Sequence, residues 1–198
     1  LVAAGYRVFG TVRTAVAADD LLNRLGSAVS PLVLDVTDSD AVDKAAASVA
    51  HEVGSNGLIA VINNAGIAVG GPWMHIDEET ALRPYKVNVI GTLKITRAFL
   101  PLLHQPGRSP GRLINISSIA GKLAVPFLGP YAASKHALEA LSTSLRGELQ
   151  IYGVGVVVIA PSIVATPIWQ KPDAIRTDGF SDTDYGTSLT EARNRALA

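Results

Sequence analysis

The sequence predicts an α/β fold of three layers, in which a doubly wound parallel sheet is covered by helices on both faces. Three observations carry this. Short runs of apolar, β-branched residues alternate with longer helical stretches along the chain, as parallel strands joined by right-handed crossovers require. The small and polar residues suited to chemistry fall at the carboxyl ends of those runs, where an open parallel sheet binds its ligands. Finally, 198 residues, 48% of them hydrophobic, suffice for one sizeable core but not for two ordinary domains. Residues 1–198 are therefore expected to form a single domain.

Leu1–Gly5 reads as the tail of a helix closed by a glycine cap. Tyr6–Val12 is rich in β-branched and aromatic residues and predicts a strand ending at Arg13. The Ala-rich segment Ala15–Gly26 predicts a helix, and Pro31–Leu34 a second strand closing on Asp35-Val36-Thr37-Asp38. Thr37 or Asp38 can cap the next helix, over Asp40–Val53. Gly57–Ile62 predicts a third strand, which opens onto Asn63-Asn64-Ala65-Gly66. After a Gly- and Pro-punctuated loop, Asp77-Glu78-Glu79 places acids where a helix should start. That helix runs through Asn88 toward Leu103, with Pro84 and Pro101 marking its ends or a kink. A fourth strand at Leu113–Ser117, a helix at Tyr131–Tyr152 and a fifth strand at Gly155–Ala160 follow. Beyond Pro161 the composition turns polar, which predicts a mobile flap or a poorly ordered tail over 162–198.

Composition removes several functions. Lysines plus arginines equal aspartates plus glutamates at 17 each, so no global field recruits nucleic acid or an anionic membrane. The absence of cysteine excludes disulfides and thiolate chemistry, and the four histidines, His51, His75, His104 and His136, show no metal-ligand spacing. No metal is expected. Apolar runs are too short for a membrane span, and no signal core is present.

The chemistry centres on Tyr131-Ala132-Ala133-Ser134-Lys135. On a helix Tyr131 and Lys135 share one face, and a positive charge beside a phenol lowers its pKa toward the range of a general acid or base. An isolated Tyr-x-x-x-Lys is more often a surface pair, so its context decides. Thirteen positions upstream, the branched run Leu113-Ile114-Asn115-Ile116 ends in Ser117 and Ser118. Strand neighbours point to opposite faces, so only one of these two serines can face a site.

Together with Asn63-Asn64-Ala65-Gly66, Val87-Asn88 and Pro161–Thr166, these motifs resemble the short-chain dehydrogenase/reductase family over nearly the whole chain. The resemblance implies a Rossmann-like fold. It is incomplete at the N-terminus, where the family's Gly-rich turn would precede Leu1, and at the C-terminus, where no last strand follows Pro161. Residues 162–198 would supply the substrate loop. Ser118, by resemblance, bonds the substrate oxygen, Tyr131 transfers the proton, Lys135 holds the nicotinamide ribose and lowers the Tyr131 pKa, and Asn88 anchors a water. The implied cofactor contacts are Asp35 and Val36 beside the adenine, Asn63, Ala65 and Gly66 beside the adenosine ribose, and Tyr131 and Lys135. Pro161, Ile163, Val164 and Thr166 would meet the nicotinamide, although Ser162 stands where the family usually has Gly.

At the end of the first strand Val12-Arg13 offers a cation and no carboxylate, which favours NADP(H) over NAD(H). Trp73, Phe127, Leu128, Ile168 and Trp169 would line a pocket for an apolar alcohol or ketone. The function implied is nicotinamide-dependent alcohol or carbonyl oxidoreduction by a cytoplasmic homodimer or homotetramer. Two alternatives stand beside it. A non-catalytic binding or scaffold relative is disfavoured by the intact Asn88, Ser118, Tyr131 and Lys135 set. A sugar-nucleotide epimerase or dehydratase is disfavoured by the compact length and the Asn-Ala-Gly turn.

Overall fold

The computed structural model of the chain describes residues 1–162, 164, 167–170, 174 and 179–197. Among them are the strands β1 (Val8–Val12), β2 (Val29–Val33), β3 (Ala60–Asn63), β4 (Arg112–Ile116) and β5 (Gly155–Ile159). All pairings are parallel, and the strands form two sheets, β1-β2 and β3-β4-β5. No strand among the described residues bridges β1 and β3, so each keeps one unpaired edge.

Helices cover the strands as a doubly wound fold requires. Helix α1 (Ala15–Leu25) starts at Thr14, whose hydroxyl accepts from Ala17 N, and its Leu21 lies against Gly10 of β1. Phe9, which points the other way, joins the main core with Leu34, Val42 and Val49. Helix α2 (Ser39–Val53) is capped by Asp38, which accepts from Ala41 N. Across the second sheet the registered row Val61, Leu113 and Val156 is buried in the same core against Ile95, Phe99 and Leu145. The opposite row, Ile62, Ile114 and Val157, is more open, with Ile62 and Val157 each 40% exposed.

The long helix takes three parts: α3 (Glu78–Tyr85), a π-helical stretch over Lys86–Gly91 and α4 (Thr92–Leu103). Asp77 caps it, and both Pro84 and Pro101 lie inside it instead of marking its ends. Pro84 has no N–H to give the preceding turn, and the widened π turn begins two residues later. Helix α5 (Gly129–Glu148) carries Pro130 in its first turn, where a missing N–H is harmless, and ends in a 3₁₀ turn at Leu149–Tyr152.

The polar tail also differs from expectation. It contains α6 (Gly186–Leu197), and Phe180 and Leu189 are buried with Ile76, Phe127 and Leu128. Two apolar anchors inside a polar stretch suffice to dock it. The predicted glycine cap at the start is present: Gly5 takes φ 83° after a 3₁₀ turn at Val2–Ala4.

Candidate active site

The site is built at the carboxyl end of β4 and the first turns of α5. Ser118 leaves β4 in extended backbone, and its hydroxyl accepts from Ala120 N, capping the short turn Ile119–Gly121. Tyr131 and Lys135 project from the same face of α5 and are 4% and 5% exposed. The Tyr131 ring meets Trp169 edge-on at 5.6 Å between centroids, and Ile168 packs into the same small cluster. Burial raises the Tyr131 phenol above its ordinary 10.0, while a hydrogen bond with Ser118 pulls the other way.

Lys135 does not act as expected on that phenol. Its ammonium donates to the Ile116 carbonyl at 2.8 Å and lies 5.9 Å from the centre of the Tyr131 ring. Lys135 is itself lowered to about 8 by burial, against which the Glu139 carboxylate acts. The dominant influence on both groups is thus desolvation, which favours the neutral form of each.

Asn88 sits in the π turn and is 1% exposed. Its amide donates to Ile67 O at 3.0 Å and to Ser134 Oγ at 2.9 Å, and its carbonyl accepts from Ile67 N. Ser134 donates in turn to Tyr131 O. The Asn88 side chain therefore ties the loop after β3 to the turn of α5 that bears Tyr131. Gly66 lies beside it, and a Cβ there would come within 3.3 Å of Asn88 Oδ1 and 3.8 Å of Lys135 Nζ. Sequence reasoning gave Ser134 no role.

The expected cofactor residues divide. Arg13, Asp35, Val36, Ala65 and Gly66 gather at the carboxyl ends of β1, β2 and β3, with Arg13, Asp35 and Ala65 exposed. The Asp35 carboxylate accepts from Thr37 N and Thr37 Oγ1, and these two bonds lead in holding its pKa low, with Arg13 and Lys94 adding to them. Val36, Ala65, Val87, Gly91 and Ile95 line a small cleft beside it.

Asn63 lines the same small cleft. Its side chain is 7% exposed and donates to Asn115 Oδ1 at 2.9 Å, while Asn115 donates to Ser142 Oγ. The sheet pairing sets Asn63 opposite Asn115 on the face turned to α4 and α5, so this amide is spent inside the protein. Pro161 accepts from Ile119 N, and Val164 is 49% exposed. Ile163 and Thr166 lie outside the described residues.

The expected pocket residues also separate. Ile168 and Trp169 cover Tyr131, whereas Phe127 and Leu128 pack with Phe180 and Leu189 of the tail. The Trp73 indole lies across Gly129, at a place where any Cβ would collide with it. Phe127 takes φ 67°, a left-handed conformation that is costly for a bulky residue, and its carbonyl accepts from Gly71 N at 2.7 Å. Strain at such a position is held by the packing around it.

The described residues contain no cluster able to hold a metal ion and no helix long and apolar enough to cross a membrane. The family profile described as short chain dehydrogenase matches residues 1–176. The chain is 42% identical over 186 residues to an NADPH-dependent 3-dehydrocapnine reductase of Ornithobacterium rhinotracheale, covering 93% of this chain and 65% of the relative. It is 38% identical over 165 residues to retinol dehydrogenase 5 of Homo sapiens, covering 83% and 51%. This chain thus spans about half to two thirds of the length of these curated relatives. The solved structure of serine dehydrogenase from Escherichia coli superposes with a TM-score of 0.76 at 30% identity, covering 84% of this chain and 77% of that one.

Proposed function

This chain belongs to the short-chain dehydrogenase/reductase family, and from that premise we propose that the protein is an NADP(H)-dependent oxidoreductase interconverting an apolar alcohol and its carbonyl compound. The observation that carries the reading is the burial of Ser118, Tyr131 and Lys135 together at the carboxyl end of β4, under Ile168 and Trp169. When bound, the cofactor supplies the hydride chemistry.

The residues present fit such a group. Val36 and Ala65 offer apolar surface for an adenosine on a small cleft that Asn63 and Thr92 also line, and Gly66 brings backbone without a side chain beside Lys135. In this reading Ser118 donates to the substrate oxygen and Tyr131 gives its proton to the same oxygen as an alcohol forms. Burial keeps the Tyr131 proton in place at neutral pH, so the resting site is set for carbonyl reduction. Lys135 holds the ribose, Ala65 and Gly66 pass beside the adenosine, and Pro161, Ile163, Val164 and Thr166 meet the nicotinamide. Asn88 positions the loop and helix around them.

Preference for NADP(H) rests on Arg13, an exposed cation at the end of β1, and on the NADPH dependence of the related 3-dehydrocapnine reductase. The apolar substrate class rests on Ile168 and Trp169, and on the relative that acts on retinol. Exposed Leu82 and Ile90 on the long helix support assembly of copies into a dimer or tetramer, and a cytoplasmic location completes the proposal. The test is oxidation of NADPH and NADH by the intact protein with a panel of apolar ketones and aldehydes. Turnover with a larger specificity constant for NADPH is expected. A clear preference for NADH would contradict the role of Arg13, and no turnover with any carbonyl would contradict the reading itself.

A further inference from the structure

One partly buried cluster beside the site is used by none of these steps. Glu139 lies one helical turn beyond Lys135 on α5, and its side chain is 14% exposed. Its Oε2 accepts from Lys122 Nζ at 2.8 Å, and Lys122 directly follows the turn that Ser118 caps. The other carboxylate oxygen, Oε1, and the hydroxyl of Ser117 are both buried without a partner in hydrogen-bond geometry. Both belong to residues crowded around Gly121, where a Cβ would stand 2.9 Å from Ser117 Oγ, 3.0 Å from Lys135 O and 3.1 Å from Glu139 Cγ. A glycine at 121 is what lets the turn settle onto the helix.

We propose that Glu139 is a positioning residue, which clasps the Ser118-bearing turn to the Tyr131–Lys135 face of α5 through Lys122, with Ser117 packed beside it. This rests on the reading of Ser118, Tyr131 and Lys135 as the reacting set. The segment it holds contains Ile116, whose carbonyl accepts from Lys135 Nζ, then Ser117 and Ser118, and closes at Lys122. Lys135 thus holds the Ile116 end of this seven-residue span and Glu139, one turn further along the same helix, holds the Lys122 end.

Charge supports the geometry. Burial opposes ionisation of Glu139, yet Lys122, the nearby Ser117 hydroxyl and Arg146 bring its carboxyl below the ordinary value. The ionised group in turn opposes the loss of the Lys135 proton. Lys122 from the turn, Ser117 from the end of β4, and Lys135 and Arg146 from the same helix are the groups that face or act on it.

The test uses Glu139→Gln, Glu139→Asp and Lys122→Met in the intact protein, with Tyr131→Phe as a control. Glu139→Gln and Lys122→Met are each expected to lower kcat about tenfold to a hundredfold, the scale of a small misplacement, with little change in KM. Their effects should not add, because both cut one clasp. Glu139→Asp should recover part of the loss. Hydrogen exchange should quicken at the amides of residues 119–123 in both clasp variants, and the Lys135 amine should titrate at lower pH in Glu139→Gln.

If exchange and kcat in Glu139→Gln match those of the natural protein while Tyr131→Phe is inactive, the clasp is overturned and the reaction assignment stands. If Tyr131→Phe keeps full turnover, the reaction assignment falls and the positioning role falls with it, even where exchange has quickened. A loss of thermal stability with kcat unchanged in the folded fraction overturns the proposal, since it leaves Glu139 with a structural part alone.

Discussion

Two buried groups with opposite proton preferences sit side by side at the centre of this site. Tyr131 holds its proton more firmly than a free phenol, and Lys135 holds its proton less firmly than a free amine, down to about 8. The sign of the consequence follows from linkage. Below about 8 Lys135 is charged in the folded and the unfolded chain, and the folded chain bears the burial cost. Between about 8 and 10.5 only the unfolded chain keeps that proton, so this contribution to stability rises with pH. Lys135→Met should therefore stabilise the protein most below pH 8, with the gain shrinking toward pH 10.5, as urea unfolding across that range will read. A gain independent of pH would contradict the lowered lysine. Spacing made Tyr131, Lys135 and Ser118 legible, because a four-residue step on a helix and a strand end are local features. Ser134 and Asn115 were not legible as structural partners. Ser134 meets Asn88 from 46 positions away and Asn115 meets Asn63 from 52, and such pairings exist only once the sheet and helices have docked.

At the scale of elements, the strands and helices follow the branched and periodic runs, and their edges shift by a few residues where capping decides. Gly57 and Leu58 leave the third strand because Leu58 N donates to Leu102 O, at the end of α4. The long helix shows the limit of a rule applied locally. Proline predicts a boundary, yet a π turn absorbs Pro84 and presents Asn88 to Ile67 and Ser134. Beneath that turn, Asn63, Asn115 and Ser142 form a polar chain joining β3 and β4 to α5, inside an apolar core. Asn115→Ala removes the bonds to Asn63 and Ser142, leaving these buried groups only Thr96 Oγ1 and Leu138 O as partners, and is expected to cost about 1–3 kcal/mol in chemical denaturation. An effect below a few tenths would mean that water replaces the amide. Asn88→Ala should quicken exchange at Ile67 N while sparing the core strands, because that amide donates to the lost side chain.

For the whole molecule, the two sheets share one core but keep apolar surface open. Ile62, Val157 and Ile159 are 40%, 40% and 47% exposed on one side of the β3-β4-β5 sheet, and the edges of β1 and β3 are unpaired among the described strands. Open strand edges beside apolar surface favour association between chains. The protein is therefore expected to associate on concentration, which light scattering will read, and a particle size that does not change with concentration would contradict this. The central claim is that Tyr131 moves the proton in a nicotinamide-dependent oxidoreduction, and one kinetic comparison tests it most directly. Consumption of NADPH by the intact protein with an apolar ketone is followed for the natural sequence and for Tyr131→Phe, which keeps the ring against Trp169 and removes only the hydroxyl. A fall of at least about a hundredfold in kcat is expected, the scale of a positioned acid–base group. Turnover of the Phe variant equal to that of the natural protein would contradict the account.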